Sequence, residues 1–148
     1  MATILLLSGP NLNLLGQRDP RYYGSTTLDE LVTLARETAA KLGHDVEHLQ
    51  SNHEGVLIDA IHDARGRCAA LVINAGAYSH YAYAIADALE LFDGPKIELH
   101  LSNLNARAER WRHRSVIAPV VDGSVTGLKS VGYRVAIEAA ASLLEERA

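Results

Sequence analysis

A phenol, a guanidinium and a carboxamide occur close together near the start of the chain, at Tyr23, Arg18 and Asn11. A guanidinium beside a phenol favours the phenolate, because the opposite charge stabilises the ionised oxygen. This pairing can turn a tyrosine into a base, and the neighbouring Tyr22 is the alternative candidate. Residues 8–24 include two prolines and three glycines, which favour a loop over a helix or strand.

A second candidate pair is Glu98 and His100, two residues apart in an apolar segment. If that segment is a strand, the two side chains leave the same face, so the carboxylate lies beside the imidazole. A neighbouring carboxylate orients the ring and favours its protonated form. A protonated imidazole is suited to act as a general acid, so the chain offers candidates for both a base and an acid.

Apolar runs alternate with segments of helical periodicity along the chain. They predict strands at 4–7, 45–50, 69–73 and 96–99, with a short fifth strand within 119–126. Helices are predicted at 28–42, with Thr27 as its N-cap, and at 54–65, 80–91 and 131–146. This alternation predicts an α/β fold in which helices cover both faces of a parallel sheet. We expect a single domain spanning residues 1–148.

Polar residues follow three of the predicted strands, where each strand ends. Asn11 follows the first strand, Asn74 the third and His100 the fourth. Because ligands bind beyond the carboxyl ends of parallel strands, these segments predict one active site. Backbone N–H groups after His100 and the dipole of a helix starting near His80 favour a small anionic substrate, most simply a carboxylate.

Composition and missing motifs exclude several classes of protein. The formal net charge of -4 disfavours a non-specific nucleic-acid surface, and no ATP or dinucleotide motif is present. Cys68 is the only cysteine, so we expect no disulfide and a cytoplasmic protein. No apolar segment is long enough to span a bilayer. His44 and His48 are interpreted as surface residues and not as metal ligands.

Taken together, these residues closely resemble the type II 3-dehydroquinate dehydratases, also called type II dehydroquinases. The match runs from near residue 8 to about residue 137 through the segments GPNLNLLGQRDPRYYG, QSNHEG, INAGAYSH, IELHLSN and VTGL…GYRVA. The resemblance implies a flavodoxin-like fold, a homododecamer built as a tetramer of trimers, and no metal or organic cofactor. It also implies the third step of the shikimate pathway, which leads to chorismate and the aromatic amino acids.

The resemblance further implies a role for each candidate. Tyr23, activated by Arg18, would remove a proton from C2 of 3-dehydroquinate, and a water held by Asn11 would stabilise the enolate. His100, oriented by Glu98, would protonate the departing C1 hydroxyl, completing a reversible anti elimination to 3-dehydroshikimate.

The implied substrate-binding residues are Asn74, Gly76, His80, Asp87, Leu101, Ser102 and Arg112. Asn74 and the backbone of Leu101 and Ser102 would hold the carboxylate, whereas His80 and Arg112 would hold ring hydroxyls. Asp87 would reach the site of a neighbouring subunit. Arg110 and Arg114 stay as alternatives to Arg112, because segment 106–112 is one residue longer than usual.

Two alternatives to an active dehydratase remain. One is a non-enzymatic flavodoxin-like module that binds a flavin or a phosphate. The other is a scaffold derived from an enzyme that has kept the fold and lost catalytic activity. The sequence argues against this alternative because it retains Arg18, Tyr23, Glu98 and His100.

Overall fold

All five strands lie in one parallel sheet in the computed structural model, which describes residues Met1–Ala148. The sheet has the order β2-β1-β3-β4-β5, and every neighbouring pair is parallel. The strands are β1 (Thr3–Ser8), β2 (Asp45–Gln50), β3 (Ala70–Asn74), β4 (Lys96–His100) and β5 (Gly123–Thr126). The chain therefore changes direction across the sheet between β1 and β3, which is where ligands bind in such folds.

Helices cover both faces of the sheet, as predicted, and the fold class is the expected flavodoxin-like one. Helices α2 and α5 contribute to the core on one face, and α3 and α4 to the core on the other. No helix is both long and apolar enough to cross a membrane. The helices are α1 (Pro20–Tyr23), α2 (Leu28–Lys41), α3 (Glu54–Ala64), α4 (Tyr83–Glu90) and α5 (Ser130–Arg147).

The continuous apolar run of β1 supplies both cores. Successive side chains of a strand point to opposite faces, so Ile4 and Leu6 pack under α2 and α5. Leu5 and Leu7 pack on the other face, under α3 and α4. This double burial explains why the strand reads as an unbroken apolar run and not as an alternating one. It also holds the loop after β1 rigidly at the carboxyl edge of the sheet.

Two predicted segments differ from the structure. The helix expected from His80 begins only at Tyr83, because Gly76–His80 form a 3-10 turn in which the Ser79 hydroxyl donates to the Gly76 carbonyl at 2.8 Å. The dipole expected at His80 is therefore not at that position. In the segment 119–126, only Gly123–Thr126 form a strand, and the turn Ala118–Val120 precedes it.

His48 is not the surface residue that the sequence predicted. It lies half-buried on β2, and its Nε2 is 2.9 Å from the Oγ of the fully buried Ser8. The hydroxyl is buried at the carboxyl end of β1, and the imidazole gives it a hydrogen-bond partner away from solvent.

Candidate active site

A cleft of about 110 Å³ opens beyond the carboxyl ends of β1, β3 and β4. It is lined by three arginines, Arg18, Arg107 and Arg112, which favour an anionic ligand. All the predicted site residues except Glu98 and Asp87 line this cleft: Asn11, Arg18, Tyr23, Asn74, Gly76, His80, His100, Leu101, Ser102 and Arg112.

Tyr23, and not Tyr22, presents its hydroxyl to the cleft. Arg18 Nη2 donates to the Tyr23 hydroxyl at 2.8 Å, and the guanidinium carbon lies 3.8 Å from the centre of the ring. The one-turn helix α1 ends at Tyr23, and Asp19 caps its start by accepting the Arg21 N–H. The cap and the short helix therefore fix where the phenol points.

Arg107 is a site residue that sequence reasoning did not single out. Its Nη1 donates to the Tyr23 hydroxyl at 3.2 Å and to Ser102 Oγ at 3.3 Å. Its guanidinium carbon lies 3.9 Å from the centre of the Tyr22 ring, and the residue is only 7% exposed. Nothing in the sequence distinguishes it from Arg110, Arg112 and Arg114, because burial and not residue type sets it apart.

His100 contacts the cleft, and Glu98 lies behind it. His100 Nε2 lies 2.8 Å from Glu98 Oε2, and the two residues are only 4% and 2% exposed. Burial alone would raise the pKa of Glu98, but hydrogen bonds from His100, Ser115 and Ser124 outweigh it and hold that pKa below its usual range. The carboxylate therefore lies beside the imidazole and orients the ring, as the two-residue spacing predicted.

His80 is a neutral acceptor beside His100. Its Nδ1 donates to the Arg114 carbonyl at 2.7 Å, which leaves Nε2 as the acceptor. Burial lowers the pKa of His80, so the ring is uncharged near neutral pH. The ring is stacked on His100 with centres 6.4 Å apart, and Trp111 meets it edge-on at 5.2 Å. Such a ring can accept a hydrogen bond from a hydroxyl.

Two unpartnered backbone donors and an amide meet at the ends of β3 and β4. The N–H groups of Leu101 and Ser102 donate to no acceptor in the chain, although both residues are buried. Asn74 accepts the Gly76 N–H at 3.2 Å and donates to the hydroxyl of Tyr133 at 3.2 Å. These bonds fix the orientation of the amide, so the second amide hydrogen is free. The arrangement can bind a carboxylate.

Tyr133 is a second residue that sequence reasoning missed in this role. It lies on α5 and is fully buried. Burial raises the pKa of its phenol to about 12, so it stays neutral. Tyr133 lies in the segment GYRVA, which is part of the resemblance. It is 59 residues from Asn74 in the chain, and no sequence pattern predicts a contact over that separation.

Of the three candidates Arg110, Arg112 and Arg114, only Arg112 lines the cleft. The Arg112 guanidinium carbon lies 4.2 Å from the centre of the Trp111 ring, and its Nε is 3.3 Å from Glu109. Asp87 is exposed on α4, outside this cleft.

Asn11 adopts a left-handed backbone conformation, with φ of 67°, and its N–H donates to Asn52 Oδ1 at 3.0 Å. Its own side chain has no hydrogen-bond partner in the chain and lines the cleft. The carboxamide is therefore available to a ligand or a water. Asn52 thus acts on the site by fixing the backbone of Asn11.

Comparison with known proteins shows the family to which the chain is similar. The sequence profile of the family described as "Dehydroquinase class II" matches residues 2–141. The chain is 51% identical over 145 residues to "3-dehydroquinate dehydratase 2" of Pseudomonas putida, covering 98% of this chain and 97% of that protein. It is 52% identical over 138 residues to "Catabolic 3-dehydroquinase 2" of Aspergillus flavus, covering 93% and 91%.

A solved structure shows the same fold. The type II dehydroquinase from Propionibacterium acnes superposes with a TM-score of 0.90 at 43% identity, covering 96% of this chain and 97% of that one. The sequence and fold comparisons therefore agree, and this chain belongs to the class II dehydroquinase family.

Proposed function

We propose that Tyr23 is the base and His100 the acid in the dehydration of 3-dehydroquinate by a single catalytic domain spanning residues 1–148. The reaction follows from the family: the chain is a 3-dehydroquinate dehydratase, a hydro-lyase. The observation that carries the assignment is that the Tyr23 hydroxyl accepts from two guanidinium groups, those of Arg18 and Arg107. Positive donors aimed at a phenol oxygen stabilise negative charge there.

In the first step, the Tyr23 phenolate takes the proton from C2, next to the ketone of the substrate. The electron pair moves onto the ketone oxygen as an enolate. A C–H beside a ketone is weakly acidic, so the developing oxyanion needs a donor. The unpaired carboxamide of Asn11 provides it through a bound water.

In the second step, the enolate re-forms the ketone and expels the C1 hydroxyl. His100 donates its proton to that oxygen, which leaves as water. Glu98, being 2% exposed and held behind the ring, does not touch the substrate and acts by orienting His100. The product is 3-dehydroshikimate, an intermediate of the shikimate pathway.

The remaining cleft residues hold the substrate for these steps. Asn74 and the free N–H groups of Leu101 and Ser102 bind the carboxylate. His80 accepts from a ring hydroxyl through Nε2, and Arg112 binds a second hydroxyl from the other side. Gly76 allows the loops after β1 and β3 to lie close together beside the cleft, since a Cβ on it would lie 3.1 Å from the Pro10 carbonyl oxygen.

The proposed assembly is a homododecamer, a tetramer of trimers, in which Asp87 reaches the cleft of a neighbouring subunit. Tyr81 and Tyr83 are 58% and 62% exposed beside Asp87, which leaves an apolar surface to cover. The proposed compartment is the cytoplasm, where a lone buried thiol such as Cys68 stays reduced. Light scattering tests the assembly: a mass near that of a monomer would contradict it.

The decisive experiment mixes the purified protein with 3-dehydroquinate and follows the ultraviolet absorbance of the conjugated enone product. Tyr23→Phe should abolish turnover while the substrate still binds, as judged by calorimetry. Tyr22→Phe is the matched control, because it removes the neighbouring hydroxyl and leaves the ring that packs on Arg107. Retained turnover in Tyr23→Phe would remove Tyr23 as the base. A chelator and borohydride treatment run alongside should leave the wild-type rate unchanged.

A further inference from the structure

Ser115 directly follows the arginine-rich segment 107–114 and contacts the buried pair formed by Glu98 and His100. Its Oγ lies 2.6 Å from Glu98 Oε2. The same oxygen accepts the backbone N–H groups of Ile117 and Ala118, each at 3.1 Å. A serine oxygen has two lone pairs and one hydrogen. Both lone pairs are used by the backbone, so the hydrogen is directed to the carboxylate.

The residues on either side of Ser115 are attached to the second histidine of the site. The Arg114 carbonyl accepts from His80 Nδ1 at 2.7 Å, and the Val116 N–H donates to the Ser79 carbonyl at 2.8 Å. Three consecutive residues therefore fix His80 directly and His100 through Glu98. A change in the position of residues 114–116 should therefore alter the positions of both the His80 and the His100 rings.

The geometry points to Ser115 as a positioning residue, one whose hydroxyl keeps Glu98 ionised and its Oε2 turned to His100. A buried carboxylate is stable only when donors satisfy it, and Ser115 makes the shortest bond to this one. Ser124 donates to the other oxygen at 3.2 Å and is itself exposed, so water can replace it. The inference rests on the proposed role of His100 as the acid.

Removing the Ser115 hydroxyl changes how tightly the pair holds its proton. With one donor fewer, the ionised Glu98 depends more on the imidazolium, and the pair releases its proton at higher pH. A proton held more tightly is transferred less readily to the leaving hydroxyl. His80 is stacked on His100, and Arg18, Tyr23, Arg107 and Arg112 line the same cleft as His100. The substitution alters none of these groups.

The test is the pH profile of kcat/KM in Ser115→Ala, with Ser124→Ala, which removes the longer bond to Glu98, as the comparison. Ser115→Ala should lower kcat about tenfold and move the alkaline limb of the profile to higher pH. Ser115→Thr, which keeps the hydroxyl, should restore both. Ser124→Ala should move the limb in the same direction by less, because its bond to Glu98 is longer and water can replace it, and an equal or larger movement in Ser124→Ala would overturn the proposal. An NMR titration of the His100 ring in Ser115→Ala should show the same movement to higher pH, and this measurement does not depend on catalytic activity.

A uniform loss of activity at every pH, with the limb and the NMR titration unmoved, would overturn the proposal, and so would unchanged kinetics. If Ser115→Ala does not fold, Ser115→Cys keeps a weaker donor and should move the limb in the same direction by less. An unmoved limb in that variant overturns the proposal equally. His100→Ala distinguishes the two claims, because retained turnover there would refute the acid assignment whatever Ser115 does.

Discussion

Arg107 and Tyr23 are 84 residues apart in the chain, yet Arg107 Nη1 donates to the Tyr23 hydroxyl at 3.2 Å. The guanidinium also lies against the ring of Tyr22 and bonds Ser102. One buried cation thus joins the loop that carries the proposed base, Tyr23, to the turn proposed to hold the substrate carboxylate. A change at Arg107 should therefore affect catalysis more than its place in an arginine-rich run suggests.

Arg107→Lys should lower kcat roughly 100-fold, the usual order for loss of one donor to a developing charge. Lysine keeps the positive charge but loses the planar stack on Tyr22, which holds in place the Nη1 that donates to both Tyr23 and Ser102. Steady-state kcat and KM measure the effect. Arg110→Lys, at an exposed position outside the cleft, is the control and should be neutral. Equal kinetics in the two variants would show that Arg107 has no role in the reaction.

Arg112→Ala should raise KM about tenfold or more, because a charged hydrogen bond to a substrate hydroxyl is lost. Arg114→Ala is the control: its side chain is outside the cleft and its carbonyl, which holds His80, is retained. Initial rates over a range of 3-dehydroquinate concentrations separate the two. A larger rise in KM in Arg114→Ala than in Arg112→Ala would show that Arg112 is not the arginine that contacts the substrate.

Gly9→Ala should destabilise the protein by about 1–3 kcal/mol, since an added Cβ would lie 2.5 Å from the Ala75 carbonyl oxygen. The loops after β1 and β3 touch at that point, so the cleft should be displaced as well. Gly55→Ala on α3 is the matched control: nothing lies within 4 Å, and alanine should stabilise the helix by up to about 1 kcal/mol. Urea unfolding measures both. Equal free energies of unfolding would mean the loops can separate freely.

His48 should make the protein less stable in mild acid. Burial, with a smaller contribution from Arg36, lowers the pKa of His48, so the unfolded chain binds the proton more readily than the folded one. The contribution of neutral His48 to the free energy of unfolding is therefore fully present above the unfolded pKa of about 6.5. It is lost as the pH falls through the lower pKa of the folded state. His48→Gln should therefore lose less stability than the wild type between pH 7 and 5. The exposed His62→Gln should behave as the wild type, and an identical loss in His48→Gln would refute the argument.

The sequence predicts most of the fold and the position of the site because both follow from short-range patterns. The apolar run of β1, buried on both sides, and the alternation of elements indicate a parallel sheet, and parallel strands bring their carboxyl ends to one edge. Asn74 and His100 were expected together on this ground, and they line one cleft. The Glu98–His100 contact follows from the two-residue repeat of a strand.

The contacts that the sequence did not predict join residues far apart in the chain. Arg107 with Tyr23 and Tyr133 with Asn74 have no period that could reveal them. The start of α4 was misjudged for a local reason: the Ser79 hydroxyl and the Asn74 amide satisfy backbone groups of the turn, which competes with helix formation. Such side-chain bonds are decided by three-dimensional placement that composition does not reveal.

The bond between Tyr133 and Asn74 makes one side chain of the cleft depend on helix α5, which follows all five strands in the chain. Helix α5 leaves the ribosome after all five strands, so a nascent chain that already contains the base and the acid still lacks the partner of the Asn74 amide. It also lacks the helix that closes one of the two cores. A product terminated between β5 and α5 would carry Tyr23 and His100 yet lack the Tyr133 hydroxyl that accepts from the Asn74 amide, so every residue of the cleft would be present before the amide has both of its partners.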